Sequence, residues 1–327
     1  MIVGLVEHDG GVTSELSLQM LTLGWRLAER LGVPLTALVV GAEARPAVDG
    51  LAAHGVSAVH VAVDDRLDEY APGAWAACIV DLMGRERPGA VLAPGSDRGN
   101  EVMAHVGART GLPMAANCTE VEPGDLGHPY LLTRVRWGGS LLEEARLHGD
   151  VKLLTAAPHA VKAEEAPAAG GFSVEEFSPA LQDKDFRVKV ARREERAAGK
   201  VSLSEARVVV GGGRGVGSPE GFRPLEELAE LLGGVVGCSR VVTSLGWRPH
   251  TDQVGQTGVR IAPDLYVACG ISGAIQHMVG AKGAKKILVV NTDPQAPILA
   301  HADYAIIGDV QEVVPALVSA IKQAKVR

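Results

Sequence analysis

Hydrophobic positions recur along the chain with two periods, and each change of period marks a new element. Ile2 to Val6 is a short apolar run of the length of a buried strand. Ser14 to Leu31 follows, with Leu16, Met20, Leu23, Leu27 and Leu31 at helical spacing. Leu35 to Val40 predicts a second strand, Pro46 to His54 a helix, and Ala58 to Val63 a third strand. Trp75 to Met83 reads as helix and Ala90 to Ala93 as strand; Asn100 to Arg109 is a further helix closed by Gly111. Strands alternating with helices predict a parallel sheet covered on both faces.

The pattern changes after Pro113. Tyr130 to Trp137 and Leu141 to Leu147 flank Gly138 and Gly139, which predicts a β-hairpin. Val151 to Thr155 adds a strand. A polar stretch from Lys162 to Gly171 leads to Phe172–Phe177 and Phe186–Val190, both alternating like exposed or edge strands. The charge run Arg192 to Arg196 reads as a solvated linker. It places a domain boundary near residue 200, giving domains 1–200 and 201–327.

The second domain restarts the alternation. Arg207 to Val210 is a strand, Gly211 to Gly217 a glycine loop, and Pro219 the start of a helix running to Leu232. Val235 to Cys238 is a strand and Thr243 to Val259 mostly loop. Leu265 to Cys269 is a buried strand ended by Gly270, after which Ser272 stands where an N-cap belongs. The next helix carries Ile275, Met278 and Val279 on one side and closes at Gly283; Ile287 to Val290 is the next strand. Asp303 to Ile307 is the last strand and Val310 to Ala324 the terminal helix. The expected fold class is α/β with two doubly wound parallel-sheet domains.

With 327 residues and 46% hydrophobic composition, the chain can bury two cores, and with only 4% aromatics it packs them with Ala, Val, Leu and Gly. A net charge of −7 argues against a nucleic-acid partner, which would need a basic face. No apolar run approaches the ~18 residues of a membrane span. The start, Met1-Ile-Val-Gly-Leu-Val-Glu-His8, is read as strand and not signal peptide, so the expected location is cytoplasmic. Cys78, Cys118, Cys238 and Cys269 are scattered, which suits buried reduced thiols.

The glycine loop fits neither G-x-G-x-x-G nor a P-loop, and Cys238-Ser-Arg240 offers no acid for a ribose, so an ordinary nicotinamide site is not expected. Arg214 within it stands at the carboxyl end of a parallel strand, where ligands gather. Gly270-Ile-Ser272-Gly273-Ala274 resembles a nucleophile elbow, but Ala holds the fifth position and no Asp-then-His order follows. Ser272 as cap and phosphate donor is the favoured reading. His277 alone would be an ordinary core or surface histidine. The neighbouring run Gln253-Val-Gly-Gln-Thr-Gly258, too polar for core and too glycine-rich for helix, suits a flat heteroaromatic edge and turns attention back to His277. Gly95 to Asn100 could be a ligand loop, although capping of the next helix is favoured.

Together these residues resemble the α subunit of electron transfer flavoprotein. The signature is Leu265-Tyr-Val-Ala-Cys-Gly-Ile-Ser-Gly-Ala-Ile-Gln-His277, with the glutamine loop upstream and Asn291-Thr-Asp293-Pro-Gln-Ala-Pro297 downstream. Val210 to Gly215, Gly237 to Arg240 and Ala302 to Asp309 also match, and the first domain fits more loosely. The resemblance implies a nucleotide-hydrolase-like first domain that pairs with a β subunit, and a Rossmann-like second domain that binds FAD. Ser272 and Gly273 would hold the pyrophosphate, assisted by Ser239 and Arg240. Asn291 and Asp309 would hold the adenosine end. Arg214, Gln256, Thr257 and His277 would surround the isoalloxazine. The flanking Gln253, Val254 and Gly255, the turn residues Gly270, Ala274, Ile275 and Gln276, and Asp293 and Val310 are carried over as FAD-binding. The resemblance implies no catalytic residue and no metal.

By the same resemblance the chain would be an electron carrier and not an enzyme. It would take electrons from flavin dehydrogenases, such as the acyl-CoA dehydrogenases of fatty acid β-oxidation, and pass them to a quinone oxidoreductase. AMP or a second FAD would sit in the β subunit; with a second FAD the complex would be bifurcating and oxidise NADH. Ser244, where many relatives carry Asp, and Thr292, for a frequent Lys, leave that choice open. A colourless nucleotide sensor and a serine hydrolase acting through Ser272 are the rival classes.

Overall fold

In the computed structural model the described residues are 1–124, 128–137, 141–166, 172–190, 202–204 and 206–325. The chain divides into two compact units, Met1–Glu194 and Glu195–Arg327. The Gly138-Gly139 turn, the end of the polar stretch before Gly171, the charge run Arg192 to Arg196 and the boundary expected near residue 200 lie outside the described residues.

The first unit runs β1 (Ile2–Leu5), β2 (His8–Asp9), β3 (Val12–Thr13), α1 (Glu15–Leu31), β4 (Leu35–Val40), α2 (Arg45–Val48), β5 (Val56–Ala62), α3 (Pro72–Glu86), β6 (Ala90–Pro94) and α4 (Asp97–Thr110). It continues with β7 (Met114–Glu122), β8 (Tyr130–Arg136), β9 (Leu141–Leu147), β10 (Lys152–Ala156) and β11 (Ser173–Phe177). Nine of these strands form one sheet in the order β11-β5-β4-β1-β6-β10-β7-β8-β9. It is parallel from β11 to β7, and β8 and β9 add an antiparallel edge. Successive side chains serve opposite faces. Ile2, Ala90 and Leu92 join one buried cluster with Met20 and Leu27; Val3, Val91 and Ala93 join the other with Trp75 and Ile79.

Capping explains Gly95 to Asn100. Ser96 is the N-cap of α4, its hydroxyl accepting from the Gly99 N–H at 2.8 Å, so the loop serves the helix. Two expectations are corrected. β7 is a strand that the sequence reading left blank, broken in its regularity by Asn117 at φ +57°. Phe186 to Val190 is not a strand: Asp183–Phe186 is a 3-10 turn, in which Asp185 accepts from the Gln182 N–H and from Arg109.

The second unit runs β12 (Val208–Gly212), α5 (Arg223–Leu231), β13 (Val235–Cys238), α6 (Arg240–Ser244), β14 (Leu265–Cys269), α7 (Ile275–Ala281), β15 (Ile287–Asn291), β16 (Tyr304–Ile307) and α8 (Val310–Lys325). Its five strands are all parallel, in the order β13-β12-β14-β15-β16. The helix expected from Pro219 begins at Arg223, after a 3-10 turn over Glu220–Phe222. α6 occupies the head of a stretch read as loop. Among the described residues no helix is long and apolar enough to cross a membrane. All four cysteines are free and buried.

Glu7, two residues after β1, is a buried acid of the first unit. Ser96 Oγ donates to its Oε1 at 2.5 Å. Desolvation pushes its pKa up from 4.5 to about 7, against the pull of Ser96 and Arg98 and with a small push from Asp9. The folded state therefore holds this proton more tightly than the unfolded chain does. Its contribution is full below pH 4.5 and is lost as the pH rises through about 7. Glu7→Gln should raise stability by about 2–3 kcal/mol at pH 8 relative to the parent and change little at pH 4.5. Urea unfolding followed at both pH values measures this; equal differences at the two pH values would refute it.

Candidate functional site

In an open α/β sheet, ligands gather at the carboxyl ends of the strands where the strand order reverses. In the second unit that place lies between β12 and β14. A cavity of about 640 Å³ opens there, within the size range of small-molecule sites. Four turns line it: Arg214 and Gly215 after β12, Ser239, Arg240 and Val241 after β13, Gly270 to Ala274 after β14, and Asn291 and Asp293 after β15. Gln276 and His277 of α7 and the loop Gln253–Thr257 complete the wall.

The first and third of these turns touch backbone to backbone. The Gly213 N–H donates to the Cys269 carbonyl at 2.8 Å and the Gly215 N–H to the Gly270 carbonyl at 3.1 Å. A Cβ on Gly215 would stand 2.7 Å from the Gly270 Cα, and one on Gly270, whose φ is +62°, 2.7 Å from the Gly215 Cα. Only glycine satisfies both demands.

Ser272 is not a helix cap. Gly273 turns the chain at φ +82°, so α7 starts three residues later, with Ala274 in the cap position and no side-chain cap bond. The Ser272 carbonyl accepts from the Ile298 N–H at 3.0 Å. The backbone N–H groups of Ser272, Gly273 and Ala274 have no partner among the described residues. With the exposed Arg214 and Arg240 on the same cavity, this donor set suits an anion. Because α7 starts late, Ile275 leaves the apolar face and is 79% exposed, and Lys282, not Gly283, caps the far end.

The polar loop is braced from within. Gln253 is buried; its Oε1 accepts from Thr243 Oγ1 at 2.7 Å and its Nε2 donates to Thr257 Oγ1 at 3.0 Å. The Gln256 N–H donates to the Gln276 carbonyl at 2.7 Å. Gln256 and Thr257 remain exposed on the cavity. Asn291 ties two turns together: its Nδ2 donates to the Ile271 carbonyl at 2.9 Å and its Oδ1 accepts from the Asp293 N–H at 3.1 Å.

His277 lies in the first turn of α7, and only 7% of it is exposed. Its Nε2 is 2.8 Å from the hydroxyl of fully buried Tyr266. Nδ1 is buried beside the Val254 backbone without a hydrogen bond of ordinary geometry. Desolvation pushes its pKa down from 6.5 to about 4, so the ring is neutral at pH 7.

Sixteen of the nineteen residues expected at the site line this cavity; Ile275, Asp309 and Val310 do not. Asp309 caps α8, its Oδ1 accepting from the Gln311 N–H, and Val310 is buried in the core. Gly215, Val241, Ser244, Ile271 and Ala296 line it without having been expected as site residues. Val241 and Ser244 follow from α6, the helix missing from the sequence reading; Gly215 and Ile271 fell inside quoted motifs as spacers.

Residues 2–182 match the electron transfer flavoprotein domain, and residues 202–282 match the electron transfer flavoprotein FAD-binding domain. The chain is 38% identical over 322 residues to Protein FixB of Clostridium saccharobutylicum, covering 97% of this chain and 95% of that one. It is 39% identical over 337 residues to the electron transfer flavoprotein subunit alpha of Mycobacterium tuberculosis H37Rv, covering 99% of each. Against its counterpart from Clostridium acetobutylicum the identity is 35% over 322 residues, with 97% and 96% covered. The second unit thus carries a flavoprotein's FAD-binding domain, built on a parallel sheet. The chain belongs to the α-subunit family of electron transfer flavoproteins, a family of electron carriers.

The site fits FAD on its own features. The two arginines and the unpaired N–H groups answer a pyrophosphate, the glycine contact leaves backbone where side chains would intrude, and Gln256 and Thr257 offer neutral donors and acceptors. Gly270→Ala should cost at least about 1–2 kcal/mol from the left-handed backbone alone and also part the two turns. Purified with its partner, the variant should show a 450 nm to 280 nm absorbance ratio well below the parent's; an unchanged ratio would show that the contact does not shape the site.

Proposed function

We propose that the chain binds one FAD in the cavity of its second unit and, paired with a β subunit, carries electrons from flavin dehydrogenases to a quinone oxidoreductase. Acyl-CoA dehydrogenases of fatty acid β-oxidation are the expected donors and the cytoplasm the expected location. The observation that carries this reading is the cavity at the strand reversal, which gathers two arginines, free backbone donors and a neutral polar loop on one wall set. Bound FAD supplies the redox chemistry, gaining and losing electrons at its isoalloxazine. Ser272, Gly273 and the backbone beside them hold the pyrophosphate, with Ser239 and Arg240 assisting. Asn291 shapes the turn at the adenosine end, and Asp309 stands at the head of the neighbouring helix.

Arg214 supplies permanent positive charge near the flavin, because a guanidinium stays protonated. His277 does not add to it: buried against Tyr266, it is neutral at pH 7. Thr257 and Gln256 offer hydrogen bonds to the ring edge, and Gln253 holds Thr257 in place. Arg214→Ala should lower the midpoint potential of the bound flavin. A loss of about 1–2 kcal/mol of charge stabilisation corresponds to roughly 40–90 mV for one electron. Spectroelectrochemical titration measures it, and equal potentials in variant and parent would remove Arg214 from this role.

The partner's ligand separates two forms of the reading. Acid release of ligands from the purified heterodimer, with FAD and AMP counted, should give one FAD and one AMP for the simple carrier. Two FAD and no AMP would indicate the bifurcating form, in which the β subunit holds a second FAD and NADH is oxidised. A colourless heterodimer would overturn both.

A further inference from the structure

The first unit holds a group of side chains that the flavin site does not use. His60 of β5 and Glu175 of β11 are direct partners in the parallel ladder at the edge of the large sheet. Side chains paired in register stand on the same face. That face is the one covered by α3, because Ala62 and Phe177, two residues beyond each, join the α3 cluster. Glu86, the last residue of α3, completes the group. One ligand atom from each of the three lies within 4.8 Å of the others.

His60 is the unsatisfied member of the group. His60 is 5% exposed, and its Nε2 is buried without a hydrogen-bond partner. Its Nδ1 stands 3.9 Å from Glu175 Oε2, beyond hydrogen-bond reach. Neither Glu86 nor Glu175 forms an ion pair with Lys or Arg among the described residues. The group therefore gathers two carboxylates beside a buried imidazole that has no hydrogen bond at Nε2.

We propose that His60, Glu86 and Glu175 bind one divalent first-row transition ion, with zinc the preferred occupant over cobalt and manganese. One imidazole and two carboxylates suit such ions, whereas magnesium and calcium favour oxygen alone. Zinc holds nitrogen and carboxylate oxygen at about 2.0–2.2 Å, which sets tetrahedral donors about 3.4 Å apart. The ligand atoms need close by only about an ångström, and Glu175, exposed on its edge strand, is free to swing. Three protein ligands leave the fourth position to water. The ion ties three elements together: the edge strand β11, its neighbour β5 and the end of α3.

The test uses the full chain stripped of metal with a chelator, with Zn²⁺ added in a calorimetric titration and Co²⁺ as optical probe. One ion should bind per chain, Zn²⁺ should displace the visible Co²⁺ band, and the melting temperature should rise with Zn²⁺ concentration. Glu175→Gln, at a surface position that the fold tolerates, should weaken zinc binding about tenfold or more and remove the melting shift. His60→Gln should do the same; should that variant fail to fold, Glu175→Gln decides alone. No binding in the parent, or equal affinity and equal melting shift in parent and Glu175→Gln, would overturn the proposal.

Discussion

The second unit depends on one contact in which no side chain takes part. The turns leaving β12 and β14 meet at Gly215 and Gly270, backbone against backbone, where the strand order reverses. Parallel strands with right-handed crossovers leave a crevice at that reversal in any such sheet. Here the absence of two Cβ atoms lets the turns close on each other and keeps the crevice floor at main-chain level. Arg214 and Ser272, far apart in sequence, come to share one cavity because their turns are pinned together. The positive φ of Gly273 then delays α7, and three consecutive N–H groups are left without a partner among the described residues.

The sequence made most of this legible, for a physical reason. Buried parallel strands read as apolar runs ended by glycine, and Val208–Gly212, Leu265–Cys269 and Ile287–Asn291 stand within a residue or two of where those runs predicted them. The cavity residues were legible because they cluster in turns at strand ends, where polar and glycine residues have few structural duties. What failed was decided by local backbone geometry. Ser272 has the chemistry of a cap, but the left-handed Gly273 shifts the helix past it. Phe186 to Val190 alternates like a strand, but Asp185 binds the Gln182 N–H and Arg109 and turns the chain. β7 was missed because it mixes polar and apolar residues and Asn117 interrupts its period. His60, Glu86 and Glu175 carry no spacing that would join them; only strand register and the end of α3 bring them together.

Charge in the flavin domain is divided by burial. Arg214 and Arg240 are exposed at the cavity and carry fixed charge, whereas His277, packed against a tyrosine with no exposure of its own, is held neutral by desolvation. A site built this way keeps the same positive charge across the physiological pH range. Its electrostatics follow from fixed residue identities, the two arginines and the Asp293 that shares their cavity.

The position of β10 has a consequence for how the first unit is made. This strand lies between β6 and β7, yet it is synthesised after β7, β8 and β9. Until it arrives, β6 and β7 each present an unpaired backbone edge, and the β7–β9 meander has no seat on the growing sheet. The interior of the large sheet is therefore closed by insertion into a gap, and only β11 is added afterwards, at an edge. Nascent chains that end before residue 156 carry open strands of the kind that pair with other molecules. The emerging chain has most need of protection from neighbours while that gap is open.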